Sequence, residues 1–122
     1  MWNNVTYKLY TPDGSAIISI AEDKGEIVHI SFMIGKAGSS INAYCYSIAQ
    51  LVTEIVKTSG ISKALELLSG ISTDRSIRYK SGILCRSGVE ALYIALLGWR
   101  NDRFKKPTQS EDYKPPKFAR IG

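Results

Sequence analysis

The first third of the chain alternates between apolar and polar positions. In NVTYKLY, Val5, Tyr7 and Leu9 take turns with polar neighbours, the period of a strand buried on one side. TPDG follows, with proline second and glycine fourth, the signature of a type I turn. SAIISIAE and IVHISFMI predict two further strands, joined by EDKGE with its turn glycine. In the last of them Val28, Ile30, Phe32 and Ile34 fall on one face. The pattern predicts an antiparallel meander whose apolar side needs a cover.

The period then changes to that of a helix. Across 40–59, Ile41, Cys45, Ile48, Val52 and Ile55 recur every three or four residues, and Gly60 supplies a stop. ISKALELL predicts a short second helix, with Ser62 as N-cap and Gly70 at its end. RSIRYKSGIL reads as a strand or an extended segment carrying basic side chains. SGVE opens a third helix, in which Ser87 and Glu90 have the spacing of a capping box. Its body, VEALYIALLGW, holds one charged residue. Such a helix either runs through the domain centre or turns a second face to another subunit, so a homo-oligomer is expected. The fold class is α+β: an N-terminal antiparallel sheet covered by two or three helices. It occupies 1–98, followed by an extended basic, aromatic tail over 99–122 that packs on its own or a neighbouring protomer.

Composition narrows the function. The chain has 122 residues, 44% hydrophobic and 22% charged, enough for one domain with a core. No apolar run reaches the roughly 18 to 20 residues of a membrane span, and the start, MWNNVTYKLY, lacks the order of a secretory signal. A cytoplasmic location without membrane contact is expected. Cys45, Cys85 and the single His29 have no motif spacing, which argues against a zinc site or a hydrolytic triad. His29 sits in a strand-like run and reads as a filler. Neither a metal nor a cofactor is expected, and no catalytic residue is assigned.

Charge is uneven. Residues 1–35 carry two lysines against four acidic groups, whereas 71–122 carry eleven basic groups against five acidic ones. The C-terminal half therefore favours an anionic partner or is a solvated surface. In the tail, Trp99, Phe104, Tyr113 and Phe118 alternate with Arg100, Arg103 and Arg120. Aromatic planes beside guanidinium forks suit a purine nucleotide, though an arm strapped over a neighbour has the same composition. The loop GKAGSS, with Lys36 and Ser39, is either an anion cradle at a helix start or a packing turn with a serine cap. It lacks the spacing of a nucleotide-hydrolysing phosphate loop. Nonspecific nucleic-acid binding ranks last, since no groove-reading or RNA-binding motif accompanies the basic tail.

The run GKAGSSINAYCYSIAQLVTEIVKTSG, then ALELLSGI, then LCRSGVEALYIAL, resembles the TSCPD domain of cobalamin-dependent ribonucleotide reductases and of free-standing small proteins. Of the motif that names the family only Cys85 is kept, followed by Arg86 and Ser87, and Ser87 can serve as the helix cap. That resemblance implies an accessory or regulatory role in nucleotide reduction, with Cys85 as the residue to test. The overall layout also resembles the first family of phage Thoeris anti-defence proteins, small oligomeric sponges. This second resemblance implies a non-enzymatic protein of the host-cell cytoplasm that binds a cyclic ADP-ribose-type signal without cleaving it. It also implies separate sites for cyclic oligonucleotides and a dimer or larger assembly, up to a hexamer. The candidate ligand residues are Arg100, Arg103, Phe104, Phe118, Arg120, Lys36, Ser39, Asn42 and Arg86, with Arg75 and Arg78 in reserve.

Overall fold

In the computed structural model the described residues are 2–103. Three strands, β1 (Asn3–Thr11), β2 (Gly14–Asp23) and β3 (Glu26–Ile34), form an antiparallel sheet in sequence order. The register places Val5, Ile20 and Ile30 in one row, Tyr7, Ile18 and Phe32 in the next, and Leu9, Ala16 and Ile34 in the third. These rows are the apolar face, and all nine residues but Val5 are buried. The expected alternation carries through β1 and β2. It breaks once in β3: a bulge opposite Ala21 and Glu22 shifts the register, so Ile27 is buried and Val28 only half-buried. Val28 therefore leaves the row expected for it.

Two tight turns hold the meander. Lys24 and Gly25 both have positive φ, 56° and 82°, as a two-residue hairpin of the primed type requires. At the other hairpin the Thr11 hydroxyl donates to the Gly14 carbonyl at 2.8 Å and accepts the Asp13 amide at 2.9 Å.

The sheet is covered on its apolar face by helices α1 (Ser39–Ser59), α2 (Ile61–Leu68) and α3 (Gly88–Arg103). Helix α1 lies on β3, while α3 lies on β1 and β2. Helix α2 packs against both. The inner stripe of α1 is Cys45, Ala49, Val52 and Thr53, with Ile48, Ile55 and Val56 half-buried. Ile41, expected in that stripe, is exposed. Gly60, at φ 94°, ends α1 and also precedes the first residue of α2, so Ser62 is inside α2 and caps nothing.

Between α2 and α3 lies a small hairpin of β4 (Ile77–Arg78) and β5 (Leu84–Cys85). It replaces the single strand or extended segment expected there. Ser87 accepts the Glu90 amide at 2.9 Å, which is half of the capping box. The reciprocal half differs: the Glu90 carboxylate takes the Arg86 amide at 2.8 Å, one residue earlier than the box prescribes. Helix α3 is central, with Ala91, Leu92, Ala95 and Leu96 at most 1% exposed. Its central position accounts for its apolar sequence, so that sequence gives no sign of a second subunit. The helix also continues past the expected break at 98–99. Trp99 is buried, and its indole donates to Glu22 at 2.6 Å, so it belongs to the core and not to a stacking tail. No helix among the described residues is long and apolar enough to cross a membrane.

Candidate functional site

Helices α1 and α3 begin at the same end of the sheet. Four residues separate the end of β3 from the start of α1, and α3 starts against the β1–β2 turn, where the Gly88 amide donates to Asp13 Oδ2 at 2.8 Å. At this end a cavity of about 470 Å³ opens between them. Its walls include Phe32 and Ile34 from the sheet, Ala37 and Gly38 from the loop, Ile41, Tyr44 and Ile48 from α1, and Val89 from α3. The volume is in the range of small-molecule sites, and the lining is mostly apolar with two aromatic rings.

Two glycines shape it. A Cβ on Gly88 would sit 2.6 Å from Ile34 Cδ1 and 3.2 Å from Asp13 Oδ2, so any side chain there would force both neighbouring side chains to shift. Gly38 is the N-cap of α1, and no side chain caps that helix. The amides of its first turn face the loop without the serine cap considered for GKAGSS. The first four amides of a helix lack intrahelical partners and carry partial positive charge. Lys36, at φ 65°, occupies the left-handed region that a non-glycine residue adopts at a cost of roughly 1 kcal/mol. The residue is exposed and directly precedes Ala37 and Gly38, which line the cavity.

The candidate residues divide. Lys36 and Ser39 are exposed at the start of α1, where an anion is reachable. Asn42 is committed elsewhere. Its Oδ1 accepts the Ile34 amide at 2.9 Å, and its Nδ2 donates to the carbonyls of Ile34 and Ala37 at 3.3 and 3.4 Å. One helical face further on, Thr53 accepts the Ile30 amide at 3.1 Å. Together they satisfy edge groups of β3, which the meander leaves without a fourth strand. Asn42 is thus a structural clamp and not a free ligand residue.

Arg86 is also engaged. Its Nε donates to Glu90 Oε1 at 2.9 Å, and its Nη2 pairs with Glu90 Oε2. The Arg86 side chain holds the Glu90 carboxyl below its ordinary value, against the opposing effect of burial. Arg75 donates to the Pro12 carbonyl at 3.1 Å and Arg78 to that of Gly82 at 3.2 Å. Arg100 and Arg103 are 12 and 15 residues along α3 from Gly88, about 18 and 22 Å at 1.5 Å per residue. Arg100 is thus far along α3 from the Gly88 end that lines the cavity. Phe104, Phe118 and Arg120 lie outside the described residues.

The titratable groups at the cavity are few. Asp13 lines it, and so does Cys45, whose thiol is pushed up by burial and then by Asp13. Cys85 is fully buried, donates to the Ser87 carbonyl at 3.3 Å, and is likewise pushed up by burial. Tyr79 beside it donates to the Tyr10 carbonyl at 2.7 Å, and burial raises its phenol too. Both thiols are therefore held protonated and inert. No group of three or more His, Cys, Asp or Glu residues that could hold a metal ion occurs among the described residues.

Sequence reasoning missed Asp13, Phe32, Tyr44 and Val89. Asp13 reads locally as a turn residue, and nothing near it in the chain points to Gly88, 75 residues on. Tyr44 has a signal in retrospect. Ile41, Tyr44, Ile48, Leu51 and Ile55 recur at alternating steps of three and four, the seam spacing of paired helices. Tyr44 and Leu51 are 63% and 66% exposed, so nothing among the described residues covers them.

No family model, no curated protein and no solved structure matches this chain.

Proposed function

We propose that the protein binds and holds a cyclic nucleotide signal of the cyclic ADP-ribose type, without cleaving it. The observation that carries this reading is the cavity between the starts of α1 and α3. It pairs an apolar, aromatic-walled slot with an uncapped helix start at Gly38, two residues after the exposed Lys36. A nucleoside has flat apolar faces and a phosphate a negative charge, and the slot and its mouth complement each in turn. Retention without turnover is supported by the chemistry of the lining. A protonated thiol and one carboxylate engaged by Gly88 provide neither an activated nucleophile nor an acid–base pair.

The reading includes a homo-oligomer. Lys36 and Arg100 are at opposite ends of one protomer, so both can reach the same ligand only across two copies. The stripe from Ile41 to Ile55 offers the contact, since its spacing suits a second helix and the cavity opens beside it. The basic residues of 104–122 belong to this proposal as additional phosphate contacts. An accessory role in nucleotide reduction through Cys85 has less support, because that thiol is fully buried.

The test is recovery of the ligand. The full chain is incubated with the product of a TIR-domain enzyme, filtered and heat-denatured. Intact cyclic signal in the released fraction is expected. Hydrolysed product alone, or no released nucleotide, overturns the proposal. Truncation after Arg103 removes Phe104, Phe118 and Arg120 and is expected to weaken binding while the domain stays folded.

A further inference from the structure

The slot has no cation in its wall, yet the proposed ligand carries phosphate. Among the described residues that line it, Asp13 is the one charged group, and it is negative. A phosphate held at this end therefore needs a cation fixed just outside the wall, to offset repulsion by the carboxylate. The arginine placed there is Arg75. Its Nη2 donates to the Pro12 carbonyl at 3.1 Å, across 63 residues, and Pro12 directly precedes Asp13. The guanidinium is thus anchored to the β1–β2 turn, which contributes Asp13 to the cavity wall.

The backbone of Arg75 is fixed as well. Its amide donates to Thr73 Oγ1 at 3.2 Å, and Thr73 is tied twice to the Arg86 carbonyl, through its amide at 2.9 Å and its hydroxyl at 2.8 Å. Arg86 lies two residues before Gly88, which lines the cavity. A guanidinium has donors on three nitrogens. Of those on Arg75 only Nη2 has an acceptor among the described residues, so Nε and Nη1 are left to bind. The other arginines offer less. Arg86 spends Nε and Nη2 on Glu90, Arg78 is turned to the Gly82 carbonyl of its own hairpin, and Arg100 is about 18 Å along α3 from Gly88. We infer that Arg75 is the phosphate-binding residue of the site: the nucleoside enters the apolar slot, and Arg75 grips a phosphate outside the wall, on the β1–β2 side. The residue is exposed, so phosphate reaches it without burying its charge. Its plane takes phosphate oxygens in pairs, and the bond to Pro12 restricts its rotamers before the ligand arrives. This inference rests on the proposed nucleotide binding and assigns which part of the ligand meets which element.

Calorimetric titration of the full chain with adenosine and with ADP separates the two parts of the ligand. ADP is expected to bind about tenfold more tightly, the gain from one charge-assisted contact. Arg75→Gln keeps a donor for the Pro12 carbonyl and removes the charge. It is expected to bring ADP down to the affinity of adenosine and to leave adenosine unchanged. Arg75→Lys keeps the charge without the planar fork and is expected to recover only part of the difference. Lys57→Gln, in the last turn of α1, is the control for net charge. It is expected to leave both affinities as they are.

Equal binding of adenosine and ADP to the wild type, or no binding of either, overturns the inference. So does an Arg75→Gln variant that retains the advantage of ADP. A variant that weakens both ligands equally overturns it as well, since a purely structural bond to Pro12 has that consequence. The same loss of ADP affinity in Lys57→Gln overturns it too, because the effect is then one of overall charge. If the protein releases intact cyclic signal and ADP gains nothing from Arg75, the sequestering function stands and this subsite falls. If the gain of ADP depends on Arg75 but only hydrolysed signal is recovered, the subsite stands and the sequestering function falls.

Discussion

The indole of Trp99 donates a hydrogen bond to the carboxylate of Glu22 at 2.6 Å, joining the last turns of α3 to the end of β2 across 77 residues. Both side chains are buried, at 5% and 7% exposed. The bond fixes the depth at which α3 lies on the sheet, and at its other end Gly88 and Asp13 fix its start. Trp99→Phe keeps most of the apolar surface and removes this bond. It is expected to lower unfolding stability in urea by about 1.5–3 kcal/mol, the range for hydrogen bonds to charged groups. An unchanged midpoint would show that the bond contributes nothing net.

Asn42→Ala removes the clamp on the edge of β3 and leaves the Ile34 amide without its acceptor. A loss of about 1–3 kcal/mol is expected, with faster hydrogen exchange at Ile34 and a greater tendency to aggregate through the opened edge. If the variant keeps its stability and loses only ligand affinity, Asn42 is a ligand residue after all.

Gly88→Ala places a methyl group against Ile34 and Asp13. The Ile34 side chain can give way, but the Asp13 contact is the cap of α3. A destabilisation of about 1–3 kcal/mol is expected, as for other overpacked positions, with the largest chemical-shift changes at Asp13 and Ile34. Nearly unchanged stability and shifts would mean that the two elements separate easily.

The Arg86–Glu90 pair sets a pH dependence. Hydrogen bonding to Arg86 holds the folded Glu90 carboxyl below its ordinary 4.5. The unfolded chain thus takes up the proton at higher pH than the folded one. The stability contributed by the pair is complete above that ordinary value and is lost as pH falls through the folded pKa. Glu90→Gln is expected to show a shallower fall in stability between about pH 5 and about pH 3 than the wild type. Parallel pH curves would remove Glu90 from the acid response.

Leu51→Glu tests the uncovered stripe of α1. The residue is exposed, so the isolated protomer should fold with little change in stability. If the stripe pairs with a second copy, sedimentation velocity is expected to show the wild type heavier than a monomer at micromolar concentration, and the variant shifted toward one. Identical sedimentation of the two would move the contact elsewhere.

The strands were legible because their information is local. Alternation of period two in NVTYKLY and SAIISIAE fixes a face as soon as one neighbour pairs, and the turns TPDG and DKGE carry their own geometry. The start of α3 was legible for the same reason, since Ser87 needs only the amide of Glu90, three residues ahead. Tertiary structure decided what depends on residues far apart in the chain. Val28 lost its place in the apolar row to a bulge that only the pairing with β2 defines. Asn42 and Arg86 are polar side chains at helix starts, equally able to meet a ligand or the protein. Packing brought an edge strand to the first and a buried carboxylate to the second. Trp99 read as part of a tail because its neighbours are polar, yet a carboxylate 77 residues away draws it into the core. The cavity itself has no sequence signature. It exists because α2 fills the space between α1 and α3 at one end and leaves it open at the other, and that is a property of how three helices share one sheet.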